Sequence, residues 1–539
     1  MLSDFLSLPP QPSANAARPE TSGARRPWWP LARRVARRTR LLSCWVPLLL
    51  APQWCSQLPA TQPLAATLTT ESTAPQPDPL PALIRALLDT TAAGSPEAAD
   101  AQLGLAAGPD VRTFYGQDCI PGWLPAAGPS PTAALRLLAR AAEFGLRPTD
   151  YATPRLLALH DSLARNTPGA PPRLRQQARF DVALSDAVLR FMRDLSRGRL
   201  RPYTVSAAEK AAGRLWQPAP VLRAALAAGT VPAAMLAGQP THREYRQLQQ
   251  ALAHWLARPP HPDSATFHRV QYEHAALNLE RWRWNVLPPD SDYVLINIPA
   301  YELLVVAHDS VVRRHRVVVG KPETPTPTLS SQIRSFTLAP DWHVPRSIAT
   351  KEILPHLRDD AGYLARNELA LYDARGRQLD PYSVDWSRVT AKNFAYSIRQ
   401  GAGCENALGN VVFRFANPYA VYLHDTPMRQ YFDRPDRALS HGCIRLQHPL
   451  QLAAYLLRRE GRPVRLPSEE ECARQPRPRD VRLRRPLPLH IRYATCTAEN
   501  GHLRFLPDIY HRDEAIRRAL FGPVGRPRPV AQGGQPAAL

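Results

Sequence analysis

From about residue 80 to 256, apolar residues recur at helical spacing. Leu135, Leu138, Ala139 and Ala142 fall at i, i+3, i+4 and i+7, and Gly145 follows as a stop. Phe180, Leu184, Ala187, Val188, Phe191 and Leu195 make a longer stripe ending at Gly198, and Tyr245, Leu248, Leu252 and Trp255 make another. Such stripes are the inward faces of packed helices and are assigned no chemistry. Prolines punctuate 257–265 and mark a boundary, after which the period changes. Tyr293–Pro299, Leu303–Ala307 and Val311–Val319 are short β-rich runs, the last two joined by a His308-Asp309-Ser310 turn. Val411–Ala416 and Val421–His424 are two more, split by Asn417-Pro418, and Leu489–Thr495 is a last one. Between the strand groups, 340–398 is mixed, with a helical start at Lys351–Leu357, and is longer than a connection needs to be. The expected fold class is α+β: a helical N-terminal part, then a β-rich part carrying an insertion over about 338–400.

Composition narrows the function classes. The chain has 539 residues, room for two or three domains. Its 68 basic residues outnumber 46 acidic ones, for a net charge of +22, yet only four are lysine. An arginine-, alanine- and proline-rich chain reflects overall composition bias as much as a binding surface. No nucleic-acid motif accompanies the charge, so no nucleic-acid partner is expected, only affinity for anionic surfaces. No run of 18 apolar residues follows the N-terminus, which excludes a polytopic membrane protein.

Seven arginines lie between Arg25 and Arg40 without an acid among them, and the apolar stretch Leu41–Ala51 comes directly after. That order predicts an export signal over 1–60, cleaved or kept as an anchor that tethers the protein to a membrane. A Thr- and Pro-rich tether follows over 61–80, and the Pro/Gly-rich end, 523–539, is expected to be disordered. Of seven cysteines, Cys44 and Cys55 fall in the export segment. The other five form no C-x-x-C pair, and their odd number leaves at least one thiol unpaired.

The densest chemistry is VYLHDTP (421–427) followed by SHGCIRL (440–446). A thiol attacks a carbonyl as thiolate, which a nearby imidazole or backbone dipoles can supply. Gly442 allows a tight turn before Cys443, and the amides of both residues can converge on an oxyanion. His424 ends a run that can lie beside the cysteine's strand. His424, His441, Cys443 and His448 match no familiar zinc spacing and have no carboxylates around them, so no metal is expected.

The cluster resembles the motif of the L,D-transpeptidases (YkuD-type catalytic domain): a histidine, a gap of about 14 to 17 residues, then Ser/Thr-His-Gly-Cys. The resemblance extends to the large periplasmic YcbB-type enzymes. NLERWRW (278–284), YVLINIPAYEL (293–303), RVVVGKPETPTP (316–327), WHVPRSI (342–348), KEILP (351–355), NALG (406–409) and the tail 491–520 stand in that subgroup's order. It implies a helical scaffold domain over 81–256, a linker over 257–277 and a catalytic domain over 278–522 with a capping insertion. Cys443 is the implied nucleophile and His424 its general base and acid, supported by the Asp425 main-chain carbonyl. Gly442 serves the oxyanion hole, His441 and Arg445 shape the pocket, Arg445 receives a substrate carboxylate, and Tyr422 and Asn406 line the groove. The implied substrates are peptidoglycan stem peptides in the periplasm, joined 3→3 through a cysteinyl thioester without a cofactor. Trimming of tetrapeptide stems, attachment of an outer-membrane protein and a non-catalytic wall-binding scaffold remain open alternatives. Arg445 stands where many members have asparagine, and the usual peptidoglycan-binding module between scaffold and catalytic domain is missing.

Overall fold

The computed structural model describes residues 79–522 except 92–93, 124–130, 166–170, 201–215, 259–264, 285–291, 404, 463–464 and 475. The expected export segment, most of the tether and the C-terminal tail lie outside the described residues.

The N-terminal part is helical. Its helices are α1 (Leu80–Leu88), α2 (Pro96–Leu103), α3 (Gly108–Tyr115), α4 (Thr132–Ala139), α5 (Thr153–Arg165), α6 (Pro171–Arg197), α7 (Pro218–Ala228), α8 (Val231–Leu236) and α9 (Arg243–Leu256). The long α6 is central: Phe180, Leu184, Val188, Phe191 and Leu195 are fully buried, as its 3.6-residue stripe requires. Burial of each such side chain contributes about 1.5–3 kcal/mol. The acids on α6 are structural. Asp181 accepts from the Tyr115 hydroxyl (2.6 Å) and the Gly122 and Trp123 amides, and Asp186 accepts from the Ala106 and Ala107 amides.

One expectation is corrected here. Much of the segment read as a linker, 257–277, is helix: α10 runs Ala265–Trp284. Its second half, Ala275–Arg283, is buried on every side, so it carries no amphipathic stripe that a periodicity reading could detect. Two of its buried polar residues reach the C-terminal part of the chain, Arg281 to Asp513 (2.6 Å) and Asn278 to Thr495 (2.9 Å). Ala275, Leu279 and Trp282 pack with Tyr245, Leu248 and Leu252 of α9 and with Tyr293 and Leu295 of the first strand, joining the helical and β parts through one core.

The β part is a nine-stranded sheet. Its strands are β1 (Asp292–Asn297), β2 (Glu302–Ala307), β3 (Ser310–Gly320), β4 (Leu329–Leu338), β9 (Val411–Phe415), β10 (Leu423–His424), β11 (Ala438–Ser440), β12 (Ile444–Leu446) and β13 (Arg479–Arg492). The order is β11-β3-β12-β10-β9-β4-β13-β1-β2, and β3 also pairs with β2, so the sheet curls round and closes. Pairs β1–β13, β10–β12 and β11–β3 are parallel and the others antiparallel. Leu423, Ile444, Phe413, Phe336 and Val481 face inward, over helix α11 (Pro449–Arg459) with Leu452 and Leu456. The arginine- and proline-rich stretch before Pro488 is partly strand: β13 begins at Arg479.

Between β4 and β9 the insertion builds a small domain of its own. Strands β5 (Trp342–His343), β6 (Leu369–Tyr372), β7 (Gln378–Leu379) and β8 (Ser397–Gln400) pair in the order β5-β8-β6-β7. Ile353, Leu354, Leu364, Leu371, Trp386 and Phe394 form its separate core.

Candidate active site

Strand register places the chemistry. Leu423 pairs with Ile444 and His424 with Arg445 across the parallel β10–β12 pair. Leu423 and Ile444 point into the core, so alternation turns Tyr422, His424, Cys443 and Arg445 to the opposite face of the sheet. Tyr422 lies beside Cys443 and His424 beside Arg445, which sets His424 on the diagonal from Cys443.

The two central groups are held differently. The His424 Nδ1 lies 2.5 Å from the Asp425 carbonyl oxygen, so that nitrogen carries the hydrogen and Nε2 keeps its lone pair. Burial and then the Arg445 guanidinium push this imidazole down to about 3, against the Asp425 and Ala407 carbonyls. Burial likewise pushes the Cys443 thiol up from its usual value, partly offset by hydrogen bonds from the Tyr422 main chain and hydroxyl and by Arg445. Both shifts favour a neutral thiol beside a neutral imidazole at rest. The ring contact is made by the Asp425 main chain, and the carboxylate has partners of its own. It accepts from the Asn410 amide (2.9 Å) and pairs with Arg429 (3.3 Å).

Arg445 is half-buried, its guanidinium 5.5 Å from the Tyr431 ring, and its Nη1 is buried without a hydrogen-bond partner. A cation left in this state is suited to an incoming carboxylate. The Tyr422 hydroxyl, expected only to line a groove, reaches the thiol and also bonds the Trp342 side chain at the root of the insertion.

Three expectations change. The Gly442 amide donates to the Ser440 Oγ at 3.2 Å and is not available for an oxyanion; the Cys443 amide carries no hydrogen bond among the described residues. Gly442 instead lets the turn form, at φ +113°. Asn406 does not line the groove. It is fully buried, its amide donating to the carbonyls of Pro340, Gln400 and Gly401 and its oxygen accepting from the Leu408 amide. It closes the neck of the insertion. His441 is exposed and turns outward to Glu352 of the insertion, with Nε2 2.9 Å from Oε1.

The residues that build the turn escaped the sequence reading. Ser440 donates to the Cys443 carbonyl (2.6 Å), and the Thr326 hydroxyl bridges the Gly320 amide (2.8 Å) and the Gly442 carbonyl (2.9 Å). Tyr510 from the C-terminal region donates to the Gly320 carbonyl (2.6 Å). A Cβ on Gly320 would fall 2.2 Å from the Thr324 carbonyl oxygen, so no other residue fits there. Ser440 opens the SHGC motif itself, while Thr326 and Tyr510 were visible only as members of the family stretches RVVVGKPETPTP and 491–520.

Comparison with known proteins fits this geometry. Residues 291–466 match the family model of the L,D-transpeptidase catalytic domain, YkuD, and residues 109–252 match that of the Scaffold domain. Over 275 residues the chain is 33% identical to a "Putative L,D-transpeptidase" of Haemophilus influenzae, covering 51% of this chain and 54% of that one. The chain thus spans about half the length of that curated relative. Among solved structures, the L,D-transpeptidase from Mycobacterium smegmatis aligns with 38% of this chain and 58% of its own at 15% identity and a TM-score of 0.17, too slight a likeness to carry weight. The chain therefore carries an L,D-transpeptidase catalytic domain preceded by a helical scaffold domain. The order of the two matched domains is consistent with the YcbB type of L,D-transpeptidase.

Proposed function

We propose that this protein is a peptidoglycan L,D-transpeptidase that works in the periplasm and joins stem peptides 3→3 through a thioester on Cys443. The observation that supports this most is the shared sheet face of Tyr422, His424, Cys443 and Arg445, with His424 Nδ1 pinned by a main-chain carbonyl. In the first half-reaction His424 Nε2 takes the thiol proton as sulfur attacks the carbonyl of an L-centre in the donor stem. The Cys443 amide donates to the oxyanion. Collapse breaks the bond to the terminal D-residue, whose amine leaves with the proton from His424. In the second, a side-chain amine of an acceptor stem gives its proton to His424 and attacks the thioester, and the thiol is restored. The depressed imidazole and raised thiol favour proton transfer within the complex over a preformed ion pair. The basic segment and apolar stretch at 25–51 serve as export signal or membrane tether.

The test is incubation with purified muropeptides, followed by mass analysis. Cross-linked dimers, and a covalent adduct mapped to Cys443 that Cys443→Ala lacks, are expected. Trimmed monomers alone would replace this reading with L,D-carboxypeptidase activity, and full cross-linking by Cys443→Ala would overturn the thioester mechanism.

A further inference from the structure

The site face of the sheet continues past Tyr422. On β9, Phe413 pairs with Leu423, so Arg414 stands opposite Tyr422, and its charge acts on the Tyr422 hydroxyl. Arg414 in turn pairs with Ser335 on β4, and Ser335 with Arg482 on β13. Paired residues share a face, so Cys443, Tyr422, Arg414, Ser335 and Arg482 form one row across five adjacent strands. Exposure follows the row. Arg414 and Arg482 are exposed and Ser335 is half-buried, whereas one level along, beside His424, Val412 is fully buried. Neither guanidinium has an ion pair or hydrogen bond among the described residues. The row ends at a cleft of about 470 Å³ lined by Arg334, Arg462, Arg482 and Arg484. On the other side of Cys443 the surface is closed by the Gly320–Thr326 loop, held by Tyr510.

We propose that this row is the track of the donor stem, and that Arg414 and then Arg482 receive carboxylates along it. The proposal rests on the transpeptidase reading and adds where the substrate lies. With strands ~4.8 Å apart, Arg414 stands about 10 Å from the cysteine's strand and Arg482 about 19 Å. An extended peptide advances about 3.3 Å per residue, so Arg414 meets a carboxylate within a tetrapeptide stem and Arg482 only one on a longer, already cross-linked stem. This role gives the unpaired arginines on the face a substrate, which overall composition bias does not.

Acylation of Cys443 is followed by intact-protein mass for tetrapeptide stems with a free or an amidated side carboxylate, and for cross-linked dimers. Wild type is expected to prefer the free acid about tenfold, as one charge-assisted hydrogen bond would give. Arg414→Gln should bring that ratio near one, with Arg414→Lys intermediate. Arg482→Gln should slow dimers while sparing tetrapeptides. Arg479→Gln, on the other side of β13, should alter neither and so controls for lost net charge. If wild type is acylated but shows no preference, or if Arg414→Gln keeps it, the track is wrong. If no stem acylates wild type, the transpeptidase reading itself fails.

Discussion

Tyr422→Phe isolates what the tyrosine hydroxyl does for the thiol. The ring and its volume are kept, so the sheet face should survive, but Cys443 loses a hydrogen bond that favours its thiolate. Such a bond to a charged acceptor is worth about 1.5–3 kcal/mol. At about 1.4 kcal/mol per unit, the thiol should therefore rise by roughly one to two units. The sign follows directly. The wild-type thiol already lies above its usual 9.0 because it is buried, so at neutral pH only a small fraction is ionised. Raising it further lowers the thiolate fraction at every pH below the new value, roughly ten- to a hundredfold at pH 7. Iodoacetamide alkylation of Cys443, measured from pH 5 to 10, should climb about tenfold per pH unit in both proteins, with the variant displaced to alkaline pH. Acylation by a stem peptide should slow by a similar factor. A wild-type plateau between pH 5 and 7 would mean a preformed thiolate–imidazolium pair, and an unshifted variant would mean that the hydroxyl does not serve the sulfur; either result refutes the reasoning.

Other outcomes follow from the same geometry. Asn406→Ala should act on stability and not on chemistry, lowering stability by about 2–4 kcal/mol because the buried Pro340 and Gln400 carbonyls lose their donor and the buried Leu408 amide its acceptor; an unchanged melting temperature with lost acylation would restore it to the groove. His424 and His490 are held near about 3 and about 4, below their unfolded values, so the unfolded chain binds more protons between those values and about 6.5. Stability is present above that window and is lost as pH falls through it, by up to about 1.4 kcal/mol per unit for each histidine, which thermal melts from pH 7 to 4.5 would show as a falling midpoint absent if the rings are charged in the fold. Replacing residues 345–397 with a short Gly/Ser linker should shift products from cross-link toward trimmed stem while Cys443 still acylates; an unchanged ratio would mean that the insertion does not shield the thioester from water.

Period and motif carried much of this molecule. The stripe on α6, the alternation in β1 to β3, and the pair His424 and Cys443 are all visible in the residues themselves, because each depends on neighbours a few positions away. What stayed hidden depends on partners far along the chain. α10 shows no stripe because it is enclosed on all sides, and β4 escaped because a bulge between Ile333 and Ser335 breaks its alternation, so that Ser330, Ser331, Ser335 and Thr337 read as polar loop. The Gly442 amide was lost to Ser440, a contact two residues away whose direction only the turn decides. Tyr510 joins the site from nearly seventy positions beyond the cysteine, a distance no local pattern spans.

The place of β13 in the sheet bears on when the protein becomes reactive. This strand sits between β4 and β1, yet it is the last of the nine in the chain. A growing or emerging chain that stops short of Arg479 has the cysteine and histidine already made, but β1 and β4 lack the partner that holds them together, and Tyr510 has not reached the Gly320 loop. Pairings across such sequence separations form late, after the cost of closing long loops has been met. The ring therefore closes last: the β10–β12 pair that sets Cys443 beside His424 can form from residues 411–446, but the sheet that carries it, and the Tyr510 bond to the Gly320 loop, wait for the end of the described chain.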